Sequence, residues 1–262
     1  MDRYSPVGVI DSGVGGLTVA KQLKRGLPNE DILYFGDSKN MPYGNRPREE
    51  IVSLAGFMID YLEKKGVKAI LLACNTISTF ISDIDSSVKL ISIVDAGISA
   101  AASLCRDGEA VGVIATKATV DNRSYEKANE RSGGKLRLVT SASTSLPRII
   151  DRQLENTSLL TEKIRECIDP ILSEDPGITK LILGCSHFPI IKEEINAVYP
   201  FLTLIDPAAC QVEMLRDYLR ENDLLNFDNN GSDITLYTSG EESEFGLTLE
   251  RLRMSPIGIN RV

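Results

Sequence analysis

The chain of 262 residues is 42% hydrophobic and 25% charged, a composition typical of a globular protein with one large or two modest domains. Its formal net charge of −8 at pH 7 disfavours nucleic acid as a partner, because binding to phosphates needs a basic surface. No apolar run reaches the ~18 residues of a membrane-spanning helix and the first residues lack an apolar signal core, so we expect a cytoplasmic protein without a membrane partner.

A strand–helix–strand unit opens the chain. Residues 7–11 (VGVID) predict a buried parallel strand, and a Gly-rich turn at 12–16 leads into a helical apolar pattern over 17–27. Residues 31–36 predict the second strand, so the segment lengths are those of a βαβ unit.

A long polar loop, 37–48, follows the second strand. Beyond it, residues 48–65 place apolar side chains on one helical face, which predicts an amphipathic helix. A strand is predicted over 67–73 and, after another helix, a short strand at 90–94.

The sequence of strand segments and polar strand ends then recurs in the second half of the chain. Three segments recur in the same order at offsets of 104 or 111 residues: Val7–Ile10 at Val111–Ile114, the apolar run that ends at Cys74 at Leu181–Cys185, and 93–97 at 204–208. This repetition predicts an α/β protein with two similar halves, each a parallel sheet flanked by helices. We expect the second domain to comprise 98–207, and a helix at 210–221, a strand at 234–238 and a helix from about residue 242 to pack back on the first. The first domain is therefore predicted as 1–97 together with 208–262.

Polar side chains follow four of the predicted strands. In open α/β sheets ligands bind beyond the carboxyl ends of the strands, so we expect one cleft between the two halves. The residues predicted to line this cleft are Asp11, Ser12, Cys74, Asn75, Thr76, Thr116, Thr119, Cys185, Ser186 and His187.

The five cysteines are odd in number, irregularly spaced and without a CxxC pair, which argues against a disulfide framework and a structural zinc site. Cys105, Cys167 and Cys210 are interpreted as small buried apolar residues. Cys74 and Cys185 differ, because each follows a strand at matching positions of the repeat. Two thiols on opposite walls suit the inversion of a tetrahedral carbon: one thiolate removes a proton, and the opposed thiol returns one from the other face.

His187, the only histidine, is the natural partner of Cys185 two residues earlier, although a lone histidine can also be structural. Asp11 could play the matching role for Cys74, or it could form a turn or cap the next helix.

The Gly-rich turn allows two interpretations. Gly13 and Gly15 after a strand imitate part of a dinucleotide fingerprint, but the third glycine would fall at Thr18. The alternative is that the glycines let backbone N–H groups approach a carboxylate at a helix N-terminus. Ser12, Asn75, Thr76 and Thr119 add donors to such a site. Pro42, Tyr43 and Gly44 could close the cleft or form a plain turn.

These motifs resemble those of the glutamate racemases, cofactor-independent members of the aspartate/glutamate racemase family. The resemblance extends from Val7 to about Ala209 and is carried by DSGVGG (11–16), GDSKNMPYG (36–44), ACNT (73–76), the TxxTV pattern (116–120) and GCSHFP (184–189). It implies two flavodoxin-like domains, a homodimer, no cofactor or metal, and the supply of D-glutamate for peptidoglycan.

The resemblance also implies roles for individual residues. Cys74 and Cys185 would be the two acid/bases, with Asp11 and His187 assisting. Substrate contacts would fall on Asp11, Ser12, Pro42, Tyr43, Gly44, Asn75, Thr76, Thr116, Thr119, Ser186 and His187.

The sequence departs from the family pattern in three places. Ser186 stands where threonine is usual, and Phe188 where tyrosine is usual. In the centre of the second half, a glutamate thought to assist catalysis in the family aligns with Ile150. Either Asp151 substitutes for it after a local shift, or the chain lacks the group.

Three alternatives to a glutamate racemase stay open at this point. The substrate could be aspartate or another amino acid. The chain could also be a catalytically silent protein that binds carboxylates, or a redox dithiol, which requires the Cα atoms of the two cysteines to lie less than about 7 Å apart.

Overall fold

The computed structural model describes residues 1–152, 154–228 and 231–262. The first part of the chain forms β1 (Val7–Asp11), α1 (Leu17–Gly26), β2 (Ile32–Gly36), α2 (Arg48–Lys64), β3 (Ala69–Leu72), α3 (Asn75–Ser78), β4 (Lys89–Ser92) and α4 (Ile93–Leu104). The middle forms β5 (Ala110–Thr116), α5 (Lys117–Asp121), α6 (Ser124–Arg131), β6 (Arg137–Ser143), α7 (Leu146–Arg152), α8 (Thr157–Glu174), β7 (Lys180–Gly184), α9 (Lys192–Val198) and β8 (Thr203–Ile205). The last part adds α10 (Ala208–Glu221), β9 (Ile234–Thr238), α11 (Gly246–Leu252) and β10 (Gly258–Arg261).

The strands form two sheets in which every described pairing is parallel. The first sheet has the order β10-β9-β2-β1-β3-β4, and the second has the order β6-β5-β7-β8. The order β2-β1-β3-β4 in the first sheet therefore corresponds strand for strand to the second sheet. The α/β fold with two similar halves, predicted from the sequence repeat, is confirmed.

Each half has a glycine at the same position of its central strand, and close packing at that position explains why the glycine recurs in the sequence. Gly8 in β1 pairs with Ile70, and Gly112 in β5 pairs with Leu181. A Cβ at Gly8 would lie 2.9 Å from the Ile70 side chain and 3.1 Å from that of Leu62 in α2, and one at Gly112 would meet Leu181 at 2.8 Å. Each glycine thus makes room for a neighbouring strand residue and for the helix above the sheet.

The core lies on both faces of the sheets, because helices cover both. All five residues of β1 are buried, which is the pattern of a central parallel strand. Helix α10 packs against α1 and α4, so the chain after residue 207 returns to the first sheet, to which β9 and β10 also belong. We propose that the division into 1–97 with 208–262 and 98–207 describes the two domains; the membership of the two sheets supports it.

Several predicted bounds differ from the structure. The strand predicted at 90–94 ends at Ser92, because the Ser92 hydroxyl accepts the N–H groups of Val94 and Asp95 and so begins α4. The predicted helix from residue 242 is a 3-10 turn followed by α11. Strand β10 was not predicted. Among the described residues no helix is long and apolar enough to cross a bilayer.

Candidate active site

The candidate site lies where the carboxyl ends of β1, β3, β5 and β7 face one another. Nine of the ten residues predicted to line the cleft are buried, and Thr116 is partly exposed. The halves touch here: Oγ1 of Thr76 lies 3.0 Å from Oγ1 of Thr116, and the Thr18 hydroxyl donates to the carbonyl of Ser186 at 3.3 Å. The structure therefore brings the two sets of strand ends into one place.

Cys74 ends the loop after β3 and immediately precedes α3. Its thiol donates to the Ser12 hydroxyl over 3.5 Å, and only 5% of the residue is exposed. Burial, together with the nearby Asp11 carboxylate, raises the pKa of Cys74 to about 12. The thiol is therefore protonated at neutral pH in the ligand-free protein.

Cys185 follows β7 and is also 5% exposed. Its Sγ lies 3.7 Å from Nδ1 of His187, as the sequence predicted for this pair. The thiols of Cys74 and Cys185 are both free, and the charge of Cys185 is close enough to contribute to the raised pKa of Cys74.

Asp151, the residue after the position that aligns with the family's glutamate, lies beside His187. It lies in α7 with one oxygen 3.1 Å from Nε2 of His187, an ion-pair distance at which the ring N–H is not aligned for a hydrogen bond. Ile150, which aligns with the family's glutamate, packs in the core of the second half. Asp151 is the acid beside the histidine, and we propose that it takes the place of the family's glutamate.

The electrostatics of His187 follow from these contacts. Burial by itself would lower the pKa of the imidazole, but the charge of Asp151 and the contact with Cys185 outweigh it and raise the pKa well above its usual value. The imidazolium is therefore the favoured form beside the Cys185 sulfur.

Asp11 is fully buried at the end of β1. One carboxylate oxygen accepts the N–H of Gly13 at 3.0 Å, and the other has no partner among the described residues. Burial raises the pKa of Asp11, whereas the charge of His187 opposes the rise. The free oxygen leaves this carboxylate able to accept a proton or to bind a cationic group.

The Gly-rich turn gives close contact between the two halves. A Cβ at Gly15 would lie 2.6 Å from Oγ of Ser186 and 2.7 Å from Nδ1 of His187. A Cβ at Gly16 would lie 2.6 Å from Cβ of Asp11. Gly15 thus makes room for the segment after Cys185 and Gly16 makes room for the Asp11 side chain, and this packing explains why glycine is needed at both positions.

The Pro42–Gly44 segment lies against the cleft through its backbone. The Tyr43 ring is buried in the core of the first half, and its hydroxyl donates to Asp37 at 2.5 Å. Gly44 packs on Thr116, since a Cβ there would lie 3.2 Å from Cβ of that residue. A substrate contact from this segment would therefore come from its backbone.

Sequence reasoning missed Asp37 as an organiser of this loop. Besides Tyr43, its carboxylate accepts hydrogen bonds from the Asn40 amide and the Ser239 hydroxyl. Ser239 is 202 residues away in the chain. Only the Gly36-Asp37 pair at a strand end pointed to this residue, and it could not indicate these partners.

Hydroxyl groups connect the halves in two places. Thr116 lies 3.0 Å from Thr76 and 2.9 Å from Thr119 through the side-chain oxygens, and separately Oγ1 of Thr79 lies 2.8 Å from Oγ of Ser124. Thr79, Ser124 and the neighbouring Tyr125 were not among the predicted site residues, because Thr79 follows the end of α3, the other two begin α6, and none of them directly follows a strand. Within the described ranges no group of three or more His, Cys, Asp or Glu side chains is arranged to hold a metal ion.

Known proteins resemble the chain in sequence and in structure. The sequence profile of the Asp/Glu/hydantoin racemase family matches residues 7–215. Glutamate racemase 1 of Caldanaerobacter subterraneus subsp. tengcongensis is 39% identical over 246 residues, which cover 94% of this chain and 91% of that protein. A glutamate racemase isoform from Bacillus anthracis superposes with a TM-score of 0.92 at 32% identity, covering 99% of this chain and 98% of that one.

A further crystal structure, that of the Francisella tularensis glutamate racemase in complex with D-glutamate, has a TM-score of 0.88 and 33% identity, with 99% and 98% of the two chains covered. The family resemblance read from the motifs is thus confirmed over nearly the whole length. The chain belongs to the Asp/Glu/hydantoin racemase family.

Proposed function

We propose that this chain is a glutamate racemase that interconverts L- and D-glutamate. The observation that carries the proposal is the pair of free thiols at equivalent strand ends of two similar sheets, each with an ionisable side chain beside it. The relatives that are 32–39% identical over nearly the whole chain are glutamate racemases, which supports glutamate as the substrate.

The proposed reaction uses the cysteines as two bases. One thiolate takes the Cα proton and becomes a thiol, and the electron pair of the broken C–H bond stays on the substrate as a carbanion. The opposed thiol gives its proton to the other face of Cα and becomes a thiolate. The product is the other enantiomer, and atoms and charge balance without an external oxidant or reductant.

The surroundings of each sulfur suggest how a thiolate arises. The imidazolium of His187 beside Cys185 stabilises a negative sulfur. Cys74 starts as a protonated thiol whose pKa the nearby Asp11 raises, and Asp11, with an unpartnered oxygen, is the candidate to receive its proton. The α-ammonium group of the substrate would add positive charge to the same space.

The substrate carboxylates need local donors, since the chain is acidic overall. We assign this role to the hydroxyls of Ser12, Thr76 and Ser186, to the Asn75 amide and to backbone N–H groups near Gly44. The Thr116 and Thr119 hydroxyls, 2.9 Å apart, extend this surface.

The direct test measures the incorporation of solvent deuterium at Cα of the substrate. In D2O, with a chelator and without added cofactor, we expect each enantiomer of glutamate to form the other with deuterium at Cα. Cys74→Ala and Cys185→Ala should each lower kcat by about 10³-fold or more, because a general acid or base is lost. Cys105→Ala, outside the site, is the matched control and should keep full activity. Full activity in either active-site variant would exclude the scheme.

The alternatives give different results in the same assays. Faster turnover of aspartate on a panel of amino acids would assign the substrate differently. Tight binding of glutamate without exchange at Cα would favour a silent carboxylate-binding protein.

We further propose that the enzyme is a cytoplasmic homodimer that supplies D-glutamate for peptidoglycan, as the family resemblance implies. Phe57 on α2, 55% exposed and packed edge-on against Phe35, is an apolar side chain available for a partner. Light scattering coupled to size exclusion would measure the mass directly, and a monomer at micromolar concentration would contradict the dimer.

A further inference from the structure

Tyr125 lies between the two segments that carry the thiols. It belongs to α6 in the second half and its side chain is fully buried. Its hydroxyl donates a hydrogen bond of 2.8 Å to Oδ1 of Asn75, the residue that follows Cys74. A residue of one half is thus bonded directly to the cysteine segment of the other.

Two glycines create the space for the Tyr125 ring. A Cβ at Gly97 in α4 would lie 2.9 Å from Cε1 of the ring and 3.1 Å from its hydroxyl oxygen. A Cβ at Gly184, directly before Cys185, would lie 3.0 Å from Cε2. The ring therefore contacts the backbone leading into Cys185 while its hydroxyl holds the residue after Cys74.

The hydrogen bond also selects the orientation of the Asn75 amide. Oδ1 is occupied by the phenol, whereas Nδ2 has no acceptor among the described residues and keeps access to solvent. Burial raises the pKa of Tyr125, so the phenol stays protonated and acts as a donor at all ordinary pH values. A donor at this position favours the amide rotamer with its oxygen toward Tyr125 and its NH2 group toward the cleft.

We propose that Tyr125 is a positioning residue for substrate binding: its phenol fixes the Asn75 amide so that the NH2 group faces the cleft and donates to the anionic amino acid. The inference rests on the proposed function, because it assigns the ligand of that same cleft. Without the phenol, the amide can turn its oxygen toward the substrate carboxylate, which opposes binding.

The test is a double-mutant cycle on steady-state kinetics with D- and L-glutamate. Tyr125→Phe keeps the ring and should raise KM about tenfold in both directions, with kcat within about threefold, because binding is weakened equally in the ground and transition states. In an Asn75→Ala background, Tyr125→Phe should have no further effect on KM. Tyr199→Phe removes a hydroxyl that donates to Asp169 far from the cleft, and it should keep the wild-type KM.

Two results would overturn the inference: a wild-type KM in Tyr125→Phe, or a rise in KM that persists undiminished in the Asn75→Ala background. Gly97→Ala is the second variant. It keeps the phenol, displaces it through the added Cβ, and should also raise KM; a folded Gly97→Ala protein with the wild-type KM contradicts the role.

Calorimetry separates this inference from the proposed function. If the wild-type chain binds D-glutamate without racemising it, the proposed function fails, while the same cycle measured on Kd still tests Tyr125. Absence of any glutamate binding to the wild-type chain overturns both.

Discussion

His187 meets a different partner on each ring nitrogen. Nδ1 lies 3.7 Å from the Cys185 sulfur and Nε2 lies 3.1 Å from Asp151. The carboxylate keeps a proton on a buried ring that would otherwise lose it. In this arrangement Asp151 acts on the sulfur through the histidine, without touching the thiol itself.

Replacing Asp151 should move the pH dependence of the reaction. Asp151→Asn removes the charge that raises the pKa of His187, so the imidazolium is lost at a lower pH than in the wild type. We expect kcat/KM at pH 8 to fall by about 10–100-fold and the alkaline limb of its pH profile to shift to lower pH. Asp151→Glu, which keeps the charge, is the control and should leave the limb near its wild-type position. An unshifted limb in Asp151→Asn would show that the carboxylate does not act through His187.

Gly15 is a second residue at which a small change should have a large effect. The Cβ of Gly15→Ala would overlap Ser186 and His187 at 2.6–2.7 Å, so the histidine must move relative to Cys185. We expect kcat to fall by about 10²-fold, the loss typical of a displaced acid–base group.

Gly56→Ala in α2 is the matched control for Gly15→Ala, because nothing lies within 4 Å of the added carbon. That variant should keep wild-type kinetics and gain up to about 1 kcal/mol in the free energy of unfolding, since alanine is the better helix former. Wild-type kcat in Gly15→Ala would show that the turn and the histidine segment adjust to each other without cost.

At the scale of elements, a buried ion pair joins three segments at the amino end of the first sheet. Nζ of Lys68, just before β3, lies 2.5 Å from Glu30 and donates to the carbonyls of Arg3 and Leu224. All three ammonium donors thus have acceptors. The pair ties the N-terminal segment and the segment after α10 to the sheet.

Breaking this pair should destabilise the protein without touching the cleft. Lys68→Met leaves the Glu30 carboxylate buried without its partner, and we expect a loss of about 3–5 kcal/mol in urea unfolding. The double variant Lys68→Met/Glu30→Leu should recover part of this loss. Equal stability of the single variant and the wild type would show that water reaches Glu30 and replaces the lysine.

The elements that the sequence predicted best are those with a local signal. The strands before Cys74 and Cys185 are short apolar runs that end in polar residues, and their repetition fixed the correspondence of β3 with β7. Gly8 and Gly112 recur because each sheet packs a helix at the same place. The pairing of Cys185 with His187 followed from their spacing of two residues.

The contacts that the sequence could not predict join residues far apart in the chain. The bond from Ser239 to Asp37 and the bond from Tyr125 to Asn75 depend on how helices and loops return to the sheet ends. Strand β10 was missed because its four residues carry no apolar alternation and gain their bonds only from β9. No local propensity encodes such contacts.

At the scale of the whole molecule, the cleft is closed around the thiols. Cys74 and Cys185 are each only 5% exposed, so we expect the halves to separate before an amino acid reaches them. A cavity of about 760 Å³ lies beside the cleft, between α7 and α11, and includes Asp151 but neither thiol in its lining. The cleft therefore shields both sulfurs from most of the solvent.

The reactivity of the cysteines should report this closure. Cys105 and Cys210, which the sequence predicted to be buried, are partly exposed, so a thiol reagent should modify them first and without loss of activity. Inactivation should follow more slowly, coincide with modification of Cys74 or Cys185 by mass spectrometry, and be slowed by D-glutamate. Inactivation as fast as the first modification would show that the cleft is open in solution.

The matching strand orders of the two sheets have a consequence for stereochemistry. Two mirror-image amino acids have equal free energy in water, so their equilibrium constant is one and the specificity constants of the forward and reverse reactions must be equal. A near-symmetric pair of sheets gives Cys74 and Cys185, the two proposed acid/bases, comparable scaffolds. Their neighbours nevertheless differ, a serine hydroxyl for one sulfur and an imidazole for the other. Turnover number and Michaelis constant can therefore differ between the directions, while their ratio stays the same.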